Sequence, residues 1–169
     1  LELEWEKAAR GGDRRRFPWG DQFDAAFCVM MDSHVGDPEI KSVHENVFDK
    51  SVYGVKSMAG NTREWCLDLY QADKYPIEED RLRFPEFSEL RATGFRSSRG
   101  GSFGNAQSRT RSADRDWWFP LRAYVGRGFR VARSWPETPA SKKLHEELTE
   151  AHALARKARI ARFRTYKSA

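Results

Sequence analysis

Cysteine and histidine are scarce in this chain. Its 169 residues hold two cysteines, Cys28 and Cys66, 38 residues apart and in no CxxC pattern. The four histidines, His34, His44, His145 and His152, stand in no zinc-ligand spacing with them, which argues against a zinc module. Two isolated thiols fit a reducing compartment, hence a cytoplasmic protein, although a disulfide between them stays open. No apolar run approaches the ~20 residues of a membrane-spanning helix. There is neither a signal peptide nor an initiator methionine. The sequence opens with Leu1 inside a helical pattern, so a cut through a longer protein is expected. None of the protein-kinase motifs occurs.

Aromatic residues and turn formers are what the chain has instead. Six Trp, eleven Phe and five Tyr in a sequence only 39% hydrophobic imply an aromatic core inside a polar surface. Twelve Gly and seven Pro imply many turns, and a loop-rich α+β domain rather than a helical bundle. The net charge of +5 is unevenly placed. From Ser134 onward eight Lys or Arg face four Glu, and beyond Ala151 there are six bases and no acid. The basic character therefore belongs to a tail and not to a binding face, and nucleic acid is an unfavoured partner.

Local patterns divide the chain. Residues 2–10 read as a helix stopped by Gly11-Gly12. Phe17-Pro18-Trp19-Gly20-Asp21 reads as a turn pinned by its aromatics, and 28–50 as a long loop. Val52-Tyr53-Gly54-Val55 is β-like, and Met58–Trp65 is a turn running into a strand that ends near Tyr70. One helical turn is expected at Glu86–Leu90 in a charged stretch. A strand over Phe95–Phe103 is broken by Gly100-Gly101; Trp117–Leu121 reads as an aromatic loop, and Gly128–Ser134 as a final strand. After Trp135-Pro136, Leu144, Leu148, Ala151, Ala155 and Ala158 recur at helical steps, giving an appended amphipathic helix over 135–169.

Three segments carry a resemblance: Glu4-Trp5-Glu6-Lys7-Ala8-Ala9-Arg10-Gly11, Met58-Ala59-Gly60-Asn61-Thr62-Arg63-Glu64-Trp65, and Arg99-Gly100-Gly101-Ser102-Phe103 closing with Gly128-Phe129-Arg130-Val131-Ala132-Arg133. In that order and spacing the chain resembles the sulfatase-modifying-factor family, whose founding members are formylglycine-generating enzymes. The match covers residues 1–134 and implies a C-type-lectin-like fold whose N-terminal part is missing here. The family's oxidases bind copper(I) through two cysteines just after the Arg-Gly-Gly-Ser turn. This chain has Asn105 there and no cysteine from that turn to Arg133. Amide and hydroxyl oxygens do not replace thiolates for a soft ion, so no copper is expected.

The resemblance also implies a candidate calcium site. Carried over residue by residue, its ligands are the side chain of Ser57, the carbonyls of Gly60 and Thr62, and Glu64. The competing reading is that Glu64 hydrogen-bonds within its own turn. The segment of the lost cysteines leaves a candidate binding surface of Asn105, Gln107, Arg109, Arg115, Trp117, Trp118 and Tyr124, where exposed Trp beside Arg has the composition of an interaction hot spot. The competing reading there is a salt-bridged surface with Asp114 and Asp116. Within the family, the Phe17–Asp21 and Met31–Ser33 regions look most like members fused to bacterial protein kinases. The expectation is a non-oxidase module that binds a protein or small ligand beside a linked kinase domain. A diversified ligand-binding protein of a retroelement system, and an oxidase with thiols supplied from elsewhere, are the alternatives.

Overall fold

The computed structural model describes residues 1–33, 36–37, 39–73 and 94–132. Helix α1 spans Glu2–Arg10 and buries Glu2, Trp5 and Ala9, positions three and four residues apart on one face. Glu2 and Glu4 in its first turn and Lys7 and Arg10 in its last complement the helix dipole. Gly11 ends it at φ 67°, its N–H returning to the Lys7 carbonyl at 3.0 Å.

Among the described residues, four short strands form one sheet: β1 (Arg63–Leu69), β2 (Arg96–Arg99), β3 (Arg115–Trp118) and β4 (Arg127–Gly128), in the spatial order β3-β2-β1-β4. β1, β2 and β3 pair antiparallel, and β4 runs parallel to β1. A bulge between Trp65 and Leu69 shifts the β1–β2 register. Two single-turn 3-10 helices, Ala25–Phe27 and Gln107–Arg109, punctuate the loops. The side chain of Asp24 caps the first by accepting from the Ala26 N–H.

α1 packs on one face of β1 and β2. The backbone N–H of Glu2 donates to Asp68 at 2.6 Å, and Trp5, Ala9, Met58 and Cys66 form the apolar contact. Burying a side chain such as Trp5 contributes about 1.5–3 kcal/mol. The same interface holds a buried ion cluster. The Glu2 carboxylate, fully buried, accepts from Ser97 Oγ at 2.9 Å and from Arg115 Nε and Nη2 at 2.6 and 3.0 Å, with Arg99 Nη1 at 3.5 Å. Arg99, also fully buried, further reaches Glu6 and the carbonyls of Ser112 and Ala113. A second apolar cluster, Cys28, Met30 and Ala59, is flanked by Trp19, Phe23 and Ala25, with Phe17 stacked on Trp19 at 5.3 Å. Met58 and Ala59 are adjacent in sequence but belong to different clusters, so the turn they begin is the seam between the two halves of the core.

The expected helix over 2–10, the loop over 28–50 and the strand after the Met58 turn all form in the described residues. Three elements differ from expectation. Trp117 and Trp118 lie in β3, paired antiparallel with β2, and not in an aromatic loop; Arg-Asp-Trp-Trp shows no apolar alternation because Arg115 and Asp116 are held in ion pairs on opposite faces. The closing strand is two residues, Arg127–Gly128, with Phe129 and Val131 77% and 84% exposed. Val52–Val55 is a turn closed by a bridge between Lys50 and Lys56. The expected turn at Glu86–Leu90 and the appended helix over 135–169 lie outside the described residues.

Candidate functional site

The two glycine-bearing motifs meet face to face. Gly60 (φ 72°) donates to the Gly100 carbonyl at 2.6 Å, and Phe103 donates to the Asn61 carbonyl at 2.8 Å. A Cβ at Gly60 would stand 2.1 Å from the Val29 carbonyl oxygen, and one at Gly101 2.6 Å from that of Arg109, so only glycine allows the approach. Asn61 follows in the left-handed region at φ 59°. Its carboxamide pairs both ways with the Lys41 backbone, at 2.9 and 3.0 Å. Beneath the turn, buried Asp49 accepts from the Met58 and Ala59 N–H groups at 3.2 and 2.8 Å. Burial dominates there and pushes its carboxyl up to about 7, against the pull of the two backbone donors and Arg130.

Of the four residues named for calcium, Glu64 is already engaged. Its Oε2 accepts from Trp5 Nε1 at 2.7 Å and from Arg130 Nε at 2.9 Å, while Oε1 accepts from Arg130 Nη2 at 2.7 Å. Ser57 is buried, its hydroxyl donating to the Val43 carbonyl at 3.4 Å and its own carbonyl 3.3 Å from Arg130 Nη2. Thr62 Oγ1 faces Gly128. Both oxygens of Glu64 thus already accept from the Arg130 guanidinium, so calcium at Glu64 would have to share or displace that contact. Among the described residues there is no cluster of three or more His, Cys, Asp or Glu side chains able to hold a metal.

The seven residues named as a binding surface divide between the two faces of the sheet. Arg115 and Trp117 lie on the α1 side. Arg115 joins the Glu2 cluster, and Trp117, 40% exposed, packs with Phe95 and Tyr70 at ring distances of 4.0 and 6.4 Å. Trp118 turns to the opposite face, as strand alternation requires, and packs with exposed Tyr124 at 5.8 Å. Asn105 is inward: its side-chain oxygen accepts from Ser102 N–H at 3.0 Å and Arg63 Nε at 3.3 Å. Gln107 and Arg109 lie exposed on the second 3-10 helix, Arg109 with Asp114 at 3.6 Å.

Beneath Trp118 lies a network that the sequence reading did not assemble. Arg63 donates through Nη2 to Asp114 at 2.8 Å and sets Nε 3.2 Å from Asp116. Arg127 donates through Nη2 to the same Asp116 oxygen at 2.9 Å, bonds Ser98 Oγ, and lies between Trp118 and Trp65 at 4.9 and 5.4 Å. Burial lowers the affinity of Arg127 for its proton, and Asp116 opposes that. Three donors around this network have no partner although all are buried: Arg63 Nη1, Arg127 Nε and Trp118 Nε1. The available signal was the two-residue step between Asp114 and Asp116 on the edge of β3, matched by arginines on β1 and β4.

Both thiols are free and buried, in different clusters. Desolvation pushes each up to about 12, so both are protonated at neutral pH. No helix among the described residues is long and apolar enough to cross a membrane.

Among the described residues, one α-helix laid on a curled, mainly antiparallel sheet, with long ordered loops and paired glycine turns, defines a C-type-lectin-like α+β module. Residues 1–135 match the sulfatase-modifying factor enzyme 1-like domain, and the chain belongs to that family. It is 33% identical to a formylglycine-generating enzyme of Thermomonospora curvata over 153 residues, covering 78% of this chain and 47% of that protein. It is 31% identical to a serine/threonine-protein kinase pkn1 of Chlamydia caviae over 134 residues, covering 78% of this chain and 20% of the kinase. Among solved structures it superposes on Treponema denticola variable protein 1 with a TM-score of 0.57 at 23% identity, covering 76% of this chain and 44% of that one. The chain thus spans about half, or less, of the length of these curated relatives.

Proposed function

We propose that this chain is a non-oxidase, ligand-binding member of its family, working as one module of a larger protein such as a kinase fusion. The observation that carries the binding role is the set of three unpartnered buried donors on the Arg63–Asp116–Arg127–Trp118 network. Buried N–H groups without acceptors are costly, about 1–3 kcal/mol each. Three guanidinium groups there face two carboxylates, counting Arg109. A group rich in acceptor oxygens, a carboxylate or phosphate held directly or through water, is what the network lacks. Exposed Arg109 and Tyr124 flank it and would meet such a ligand first.

The oxidase alternative asks for two adjacent thiolates. Here the position after the Gly-Gly turn is Asn105, spent on Ser102 and Arg63, and the chain's own thiols are apart and protonated. The kinase-associated reading rests on likeness to the pkn1 protein, and the free thiols suit a cytoplasmic setting. The test is titration with succinate and with inorganic phosphate, read by the melting temperature of the wild type and of an Arg109→Ala/Tyr124→Ala variant. The reading expects a ligand-dependent rise that the variant reduces. No rise with either anion, or turnover of a cysteine-containing sulfatase peptide with copper and oxygen, would refute it.

A further inference from the structure

Oxygens of Lys56, Ser57 and Glu64, at the two ends of the Ser57–Glu64 turn, gather around one cationic side chain, Arg130. Glu64 is 93% buried, and a carboxylate so placed needs a compensating charge. Arg130 supplies it in a two-pronged contact, Nε to Oε2 and Nη2 to Oε1 at 2.9 and 2.7 Å. The same Nη2 lies 2.9 Å from the Lys56 carbonyl and 3.3 Å from the Ser57 carbonyl. One guanidinium therefore has four oxygens, two of them main-chain carbonyls converging from a turn whose Ser57 holds the uncommon φ of 55°. A second carboxylate, Asp49, is buried under the turn and within the electrostatic reach of both Arg130 and Glu64. Two carboxylates and two aimed carbonyls are the donors that a hard divalent ion would use.

Arg130 reaches this shell from the segment after β4. Its neighbours Phe129 and Val131 are exposed, and the Arg130 side chain, 32% exposed, lies over the turn with its guanidinium on buried Glu64. We infer that the Arg130 guanidinium is the resident cation of the Ser57–Glu64 turn, taking the place of a divalent metal and making the turn's stability independent of calcium. Removal of the guanidinium leaves two neighbouring buried carboxylates and free carbonyls, a set that calcium can then enter.

The experiment is thermal unfolding of the full chain in EDTA and in calcium up to 10 mM (about physiological extracellular levels and above), for wild type, Arg130→Gln, Glu64→Gln and the double variant. Wild type is expected to melt at one temperature throughout. Arg130→Gln is expected to melt lower by about 5 °C or more in EDTA and to recover part of that loss with calcium. The double variant is expected not to respond. A calcium-dependent rise in wild type that Glu64→Gln abolishes overturns the inference, since the metal and not the arginine would then hold the site. So does an Arg130→Gln chain that melts lower without any calcium response, because the two cations would not be interchangeable. If Arg130→Gln does not fold in EDTA, folding on addition of calcium supports the inference, and failure to fold with calcium overturns it.

Discussion

Replacing Glu2 by glutamine removes one negative charge while leaving shape nearly unchanged, and it should be among the most damaging single changes to this domain. Glu2 is the acceptor on which Arg115, Arg99 and Ser97 converge, with contacts of 2.6, 3.0, 3.5 and 2.9 Å. The side chain of Arg99 is fully buried and that of Arg115 is 11% exposed. Breaking a buried ion pair by neutralising one partner costs about 3–5 kcal/mol, because the other charge stays behind. Arg99 keeps Glu6 and two carbonyls, and Arg115 keeps the Gln71 carbonyl, so the lower end, about 3 kcal/mol, applies here. For a chain of this size that is a fall of roughly 6–12 °C in melting temperature. The assay is far-UV circular dichroism melting, with Glu4→Gln as a control because the Glu4 side chain is 72% exposed. Glu4→Gln should move the midpoint by no more than about 2 °C. A Glu2→Gln protein within about 2 °C of wild type would refute the claim that this cluster fastens α1 to the sheet.

Other outcomes follow from the same geometry. Gly60→Ala should cost more than about 3 kcal/mol, since the methyl meets the Val29 carbonyl at 2.1 Å and φ is 72°; urea unfolding midpoints measure it. Asp49 has its folded carboxyl raised to about 7 from 3.8, so the stability it contributes is complete below about pH 4 and is lost as pH rises through 7. Chemical denaturation at pH 5 and pH 8 should therefore show a loss that Asp49→Asn diminishes, and an unchanged difference would contradict the assignment. Cys28 and Cys66, raised from 9.0 to about 12, contribute stability that is complete below pH 9 and lost between 9 and 12. In the native protein at neutral pH a disulfide-exchanging thiol reagent should label neither, and labelling faster than unfolding would show that one is accessible.

Much of the frame is legible in the residues themselves. Glu2, Trp5 and Ala9 sit at helical steps, Gly11 stops the helix, and the Gly60-Asn61 and Gly100-Gly101 pairs announce two turns that need left-handed backbone. The sites are less legible, for physical reasons. Arg115-Asp116-Trp117-Trp118 does not alternate apolar with polar, because one face of β3 pairs Arg115 with Glu2 and the other pairs Asp116 with two arginines. Sequence proximity groups Trp117 with Trp118, whereas strand geometry sends them to opposite faces. Glu64 and Arg130 are 66 residues apart, and only the parallel pairing of β4 on β1 makes them partners. The residues carried over as calcium ligands can be picked out by their spacing, but the pairing of Glu64 with Arg130 cannot.

The central claim, that the unpartnered donors beneath Trp118 receive a ligand's acceptor oxygens, is tested most directly by the indole N–H resonance of Trp118. That resonance would be assigned with a Trp118→Phe variant and followed by nitrogen-15 NMR during titration with succinate and phosphate. The account predicts a saturable shift of the Trp118 signal, accompanied by shifts of the Arg63 and Arg127 side-chain N–H signals, while the Trp5 indole, bonded to Glu64, stays in place. Saturation with no movement of Trp118, or equal small shifts of every indole, would contradict it.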